Sequence, residues 1–323
     1  MHKHSNIALA LALAASASFA QAQSYPSKPI RLIIPFAPGG TTDIVGRGAA
    51  DQMSRILGQP VVVENRAGGG GSIGADAIAK AAPDGYTIGI STVSTMAVNP
   101  ACNPRLPFDP IKDFKPITNL ANVANVIAVN PNFPAKSYKE FLAVLKANPG
   151  KYSYASSGTC GFGHMLGEQF KVATKTFIVH VPYRGAGPAL NDVIAGQVPI
   201  MMDNLPSSMP FIKAGKLRPI VVAWNKRIDT MPDVPTFAEV GLKEPNDPAW
   251  YGLVAPAGTP DEVIAKLHDA AVKALQDKGF QERLRAAGAE PSGNTPAQHA
   301  AEIKKEFEKM KNLVKVQNIK LEQ

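Results

Sequence analysis

Two cysteines, two tryptophans and six histidines in 323 residues leave this chain little with which to build a metal or redox centre. Two of the histidines, His2 and His4, lie at the extreme N-terminus, and none falls beside Cys102 or Cys160 at ligand spacing, so no metal site is expected. Charge is sparse as well. Charged residues make up 19% of the chain, and the basic ones are spread along it instead of being gathered with aromatics, which argues against a nucleic-acid stripe. The densest run, Lys304, Lys305, Lys309 and Lys311, alternates with Glu and reads as a solvated helix face. No tandem repeat is present. No apolar run reaches the ~20 residues that a membrane-spanning helix needs.

The apolar run at the start is shorter. MHKHSNIALALALAASASFAQAQ has a basic start at Lys3, apolar residues from Ile7 to Ala15 and small residues leading to Ala20-Gln21-Ala22, the pattern of a cleaved secretory signal over residues 1 to 22. Its removal takes away only Lys3 among charged side chains and leaves 33 basic against 26 acidic residues, a net +7. Export places the protein in the periplasm, where a diffuse positive field favours anionic ligands and a disulfide persists once formed.

With 45% apolar residues, the remainder is an ordinary globular chain, longer than one core usually supports, so two domains are expected. Short apolar strands alternate with helical periods. RLIIPF (31–36), VVVEN (61–65) and YTIGIS (86–91) read as strands, with helices at 44–57, capped by Asp43, and at 73–82. After the Pro-rich segment 103–117, strands follow at 124–131, 151–158, 177–183, 199–204 and 217–224, with helices at 137–150, 164–174 and 186–196. The C-terminal hundred residues return to helices. This alternation predicts an α/β fold of mainly parallel sheets flanked by helices. A discontinuous first lobe (24–124 plus 224–323) would carry a second lobe (125–223) as an insert.

Two segments share one design. APGGTTD (37–43) and SSGTCGFGH (156–164) each follow a strand, carry glycine and hydroxyl residues, and open a helix whose N–H groups favour an anion. Both sit at strand carboxyl ends, where open α/β sheets bind ligands. Neither contains Lys or Arg, which favours a carboxylate held by neutral donors over phosphate transfer. His164 either hydrogen-bonds a ligand or caps its own loop, and Asp203, at a strand end, is assigned to the cleft. Trp224 and Trp250 read as core or hinge packing. The AGGGGSIG segment imitates both a hydrolase elbow at Ser72 and a dinucleotide fingerprint, but four glycines match many short patterns. No acidic residue follows at the ribose position, and His268 and His299 sit in charge-rich helical stretches that look solvent-facing. No enzyme activity and no cofactor are expected.

Several longer segments resemble one family, the periplasmic receptors of tripartite tricarboxylate transporters, also called Bug receptors. They include KPIRLIIPFAPGGTTDIVGR, VVVENRAGGGGSIGADAIAKAAPDGYT, LPFDPIKDFKPI, HVPYRGAGPALNDVIAGQV, KRIDTMPDVPTFAEVGL and WYGLVAPAGTPDEVIAKL, and the likeness spans the whole mature chain. The resemblance implies a two-lobed clamshell that delivers a small carboxylate to membrane transporter subunits as a monomer. It assigns ligand contacts to Pro38, Gly39, Gly40, Thr41, Thr42 and Asp43, to Ser156, Ser157, Gly158, Thr159 and His164, and to Asp203, with Thr92 and Ser94 as weaker candidates. The chain departs from the family pattern at Cys102 and Cys160. Their pairing would enclose 57 residues and contribute about 4 kcal/mol in the chain-entropy account. A ligand-presenting subunit of a membrane signalling receptor is the alternative output, since it needs the same cleft. Dicarboxylates, amino acids and aromatic acids all remain open as ligands.

Overall fold

Ile30–Ile34, buried at every position but Arg31, forms strand β1 in a computed structural model that describes residues 25–316. The expected signal segment lies outside those residues. β1 is paired in parallel with β2 (Val61–Asn65) and β3 (Thr87–Thr92), because the helices between them carry the chain back across the sheet. Helix α1 (Thr41–Leu57) buries Val45, Ala49 and Met53 at helical spacing and stops at Gly58 in a left-handed conformation. Helix α2 (Ser72–Ala79) is the second crossover. After β3 come a π-turn (Ser94–Val98) and the short α3 (Asn99–Cys102).

β4 (Phe114–Val123) and β10 (Ala249–Pro256) complete the sheet as antiparallel members, with β11 (Ala289–Pro291) at its edge in the order β11-β4-β10-β3-β1-β2. The first sheet is therefore mixed. Pro116, opposite Val254, is tolerated inside β4 beside a register shift in the pairing with β10, and β11 pairs only with residues 121–123 on the other edge. Helices α8 (Asp261–Leu275), α9 (Lys278–Ala286) and α10 (Pro296–Val316) cover this lobe.

The chain passes directly from β4 into β5 (Asn125–Val129), an interior strand of a second mixed sheet ordered β7-β6-β8-β5-β9. Its other strands are β6 (Ser153–Ser156), β7 (Val179–Pro182), β8 (Ile200–Asn204) and β9 (Arg218–Ala223). β6 is parallel to β7 and β8, whereas β5 runs antiparallel to β8 and β9. Helices α4 (Tyr138–Ala147), capped by the Ser137 hydroxyl, α5 (Phe162–Thr174), α6 (Ala186–Ile194) and α7 (Leu205–Lys213) flank it. Residues 234–237 lie along β9, where the Val222 amide donates to Pro235 and the Phe237 amide to Val222, before the chain returns to the first sheet through β10.

Two features differ from the sequence expectation. α1 begins at Thr41 with Gly40 as its N-cap, so Asp43 is not the capping residue but lies inside the first turn and reaches back. His299, expected at the surface, is fully buried: its Nε2 meets Ser91 Oγ at 3.1 Å and its Nδ1 meets Glu302 Oε2 at 3.0 Å, while Trp250 packs edge-on against its ring. Both ring nitrogens are thereby committed to the interior of the first lobe. Among the described residues no helix is long and apolar enough to cross a membrane, and no acidic, histidine and cysteine group could hold a metal ion.

Candidate ligand-binding site

The first Gly-rich loop is shaped by its own carboxylate. Asp43 Oδ2 accepts the Gly39 amide at 3.2 Å, and Oδ1 accepts Arg47 Nε and Asn65 Nδ2, each at 2.9 Å. Burial alone would raise the pKa of this group, but those donors outweigh it and hold the carboxyl below its ordinary value. Pro38 and Gly39 stand exposed at the rim; Gly40 and Thr41 are buried against the second lobe, and Thr42 is buried as well.

A stack of aromatic rings shapes the second loop. His164 and His180 lie face to face at 3.8 Å between centroids, and Tyr154 covers the other side of His180 at 4.9 Å. His180 Nε2 meets Ser156 Oγ at 2.7 Å, and that hydroxyl accepts the Gly158 amide at 3.2 Å. His164 Nδ1 accepts the Cys160 amide at 3.2 Å, which is the capping arrangement and leaves the ring proton to Nε2, 3.7 Å from Glu168. Glu168 is itself held by Lys171 and by the Tyr154 hydroxyl. Ser157 and Thr159 are half-buried on the same turn.

Thr92, the last residue of β3, exchanges hydrogen bonds with Thr95 and locks the start of the π-turn. Ser94 Oγ instead accepts the Phe162 amide from the other lobe at 2.9 Å. Asp203 Oδ2 accepts the hydroxyls of Ser207 and Ser208, both at 2.7 Å. Ser207 has one hydrogen, and it goes to that carboxylate, so the 2.8 Å contact with Thr41 runs from the Thr41 hydroxyl to Ser207 Oγ. An unbroken polar chain thus crosses from the first loop to the buried Asp203.

The lobes also touch elsewhere along the cleft. The Ala37 amide donates to the Arg184 carbonyl at 3.2 Å, and Gly70 meets Thr159. Between these contacts lies a cavity of about 590 Å³ lined by Ala37, Gly69 and Gly70 from the first lobe and Gly158, Thr159, Tyr183 and Arg184 from the second. Of the residues assigned to the ligand from sequence, only Gly158 and Thr159 line it; the first Gly-rich loop reaches it through Ala37 alone, and Gly69 and Gly70 come from the four-glycine turn. Arg184 has no ion pair among the described residues. Sequence reasoning passed over its loop, although PYRGAGPAL repeats the strand, glycine turn and helix design of the other two. It also passed over His180, which looked like one more residue of a strand.

The profile of the family described as "Tripartite tricarboxylate transporter family receptor" matches residues 45–319. The chain belongs to this receptor family. The receptor is 37% identical over 301 residues to Protein BugT of Bordetella pertussis, covering 93% of this chain and 92% of that one. It is similar to a solved structure described as a periplasmic transporter, with 61% identity, a TM-score of 0.92, and coverage of 93% of this chain and all of the other. It also resembles a Rhodopseudomonas palustris protein solved with adipate, at 34% identity and a TM-score of 0.88, covering 91% and 99% of the two chains.

The buried ionisable groups make acid stability of this receptor testable. Burial, reinforced by the nearby Lys171, lowers His164 to about 4; burial together with the neighbouring His164 lowers His180 to about 3. Both rings stay neutral when folded and charge on unfolding, so their stabilisation is present above the unfolded value of about 6.5 and is lost as pH falls. Burial pushes Asp203 up to about 6 against the pull of its hydroxyl partners, so its contribution has the opposite sign: full below about pH 4 and lost as pH rises through 6. Between pH 6 and 4 unfolding should therefore take up about two protons at the histidines and release about one at Asp203. Urea titrations across that window should show the slope of stability against pH steepened by about one proton in Asp203→Asn and reduced by about one in His180→Asn. Slopes unchanged in both variants would mean that these groups titrate normally in the fold.

Proposed function

We propose that this receptor is exported through its N-terminal segment and works in the periplasm as a monomer. There it captures a small carboxylate between its lobes and presents it to subunits of a tripartite tricarboxylate-type transporter. The observation that carries this reading is the cavity at the lobe junction, lined by Ala37 of the first Gly-rich loop, by Gly69 and Gly70 of the four-glycine turn, by Gly158 and Thr159 of the second loop, and by the cation of Arg184. Main-chain donors at helix entrances suit one carboxylate. The Arg184 guanidinium, with no ion pair among the described residues, suits a second, because its planar fork binds such a group through two parallel hydrogen bonds. The adipate held by the R. palustris relative belongs to that class. Lobe contact through Thr41, Ser94 and Ala37 is the closed form, and ligand shifts the balance toward it. No covalent step is required.

A thermal-shift screen of mono- and dicarboxylates from C3 to C8, amino acids and aromatic acids tests the assignment. At 100 times its dissociation constant a true ligand contributes about 2.7 kcal/mol and should raise the midpoint by about 5 °C or more. Arg184→Gln should weaken the best dicarboxylate about tenfold and leave a monocarboxylate of the same length within about twofold. If no carboxylate raises the midpoint, the reading fails.

A further inference from the structure

The two cysteines are free thiols rather than the expected bridge, yet they belong to different lobes and interact with each other across the seam between them. Cys102 ends α3 in the first lobe, and Cys160 lies in the second binding loop. Cys160 adopts φ 55°, in the left-handed region that glycine fills at lower cost, and it is one of only two such non-glycine residues among those described. A buried side chain held in a strained backbone points to a role for the side chain itself. The seam around the pair is closely packed, with Phe162 N on Ser94 Oγ, Thr159 against Gly70, and Asn99 Nδ2 donating to the Gly69 carbonyl at 2.7 Å. Their mutual influence, with burial, raises the Cys102 thiol above its ordinary value, and their mutual influence lowers that of Cys160. This asymmetry is the one that thiol exchange uses.

We propose that Cys102 and Cys160 form a dithiol site that a disulfide oxidant converts into a covalent bond between the lobes, fixing the second binding loop on the first lobe. The thiolate of one cysteine attacks a sulfur of the oxidant and expels one of its thiols. The second cysteine, losing its proton, then attacks the mixed disulfide and expels the other. One sulfur–sulfur bond forms and one breaks, two protons leave the protein, and the oxidant is reduced to two thiols. The functional consequence rests on the closing-clamshell reading: a bonded receptor stays closed without ligand and releases a captured one slowly. The bond itself does not depend on any ligand.

Treatment of the full chain with oxidised glutathione, then alkylation and intact-mass measurement, tests the chemistry. The expected product is monomeric, lighter by two hydrogens, and has no alkylatable thiol. Cys160→Gly, which relieves the φ 55° conformation and should fold normally, retains one alkylatable thiol and forms no internal bond. Small-angle scattering of the ligand-free protein should then show a smaller radius of gyration for the oxidised chain than for the reduced chain or the glycine variant. Two alkylatable thiols after oxidation, or a product of doubled mass, would overturn the site. An internal bond that leaves the radius unchanged would overturn its role in closure. Neither result bears on whether carboxylates bind, which the thermal screen decides separately.

Discussion

Replacing Gly187 with alanine should make the ligand-free receptor slightly more stable and its ligand binding about 10- to 100-fold weaker. Gly187 is the second residue of α6, where its backbone is helical, and alanine is preferred over glycine in helices by roughly 1 kcal/mol. The added Cβ meets nothing unfavourable within the second lobe. Across the cleft, however, it would stand 2.2 Å from the Pro38 carbonyl oxygen and 3.5 Å from Gly39 Cα, both main-chain atoms of the first loop. Neither atom can swing aside as a side-chain tip would, so the lobes must part or the loop must move. Overpacking of this kind costs about 1–3 kcal/mol, and here the penalty falls on the closed form alone. Calorimetric titration with the carboxylate that gives the largest thermal shift, alongside the unfolding midpoint of the free protein, separates the two effects. Binding within twofold of the parent, with the midpoint raised, would show that ligand does not bring these two segments together.

The parts of the fold that the sequence made legible share a local cause. β1 and β2 are short apolar runs bounded by glycine turns, and α1 shows its buried face at regular spacing, so neighbours in sequence are enough to identify them. β4 was hidden by a proline-rich approach and by Pro116 within it. It is a strand because β10, more than a hundred residues later, supplies its partner. α7 was missed because Pro206 and Pro210 argue against a helix. Its first turn nonetheless places Ser207 and Ser208 on Asp203. The glycine loops were legible as helix entrances, but their relation to each other was not. Thr41 finds Ser207 across 166 residues of sequence, and Ser94 finds the Phe162 amide across 68. Likewise the support of the second loop rests on the stack of His164 on His180, which no spacing rule announces.

Those long-range contacts explain why a site with few charges can still close firmly. Asp43 and Asp203 are consumed by donors of their own lobe or by the chain of hydroxyls between lobes, and Asp192 accepts the hydroxyl of the cavity-lining Tyr183. On the proposed reading, a negatively charged ligand enters a cavity beside Arg184, which has no ion pair among the described residues. Selectivity among carboxylates then falls to the distance between the main-chain donors and that guanidinium, which is a matter of ligand length.

Gly70→Ala should lose ligand affinity by about 10- to 100-fold, but unlike Gly187→Ala it should also lower the stability of the free protein by about 1 kcal/mol. Gly70 has φ 62°, a conformation that costs an alanine energy whatever surrounds it. Its Cβ would lie 2.2 Å from the Thr159 carbonyl oxygen in the other lobe and 2.8 Å from Asn99 Nδ2, a side-chain tip of its own lobe that has to turn aside in the free protein as well. Gly58 provides the control, since it has φ 67° and nothing within 4 Å of the same added atom. Gly58→Ala therefore pays the conformational cost alone and should bind ligand as the parent does. The difference in affinity between the two variants, measured at equal loss of ligand-free stability, isolates the contact between the four-glycine turn and the second binding loop. Equal affinities would place Thr159 away from Gly70 in the liganded receptor and would remove the second loop from the closure mechanism.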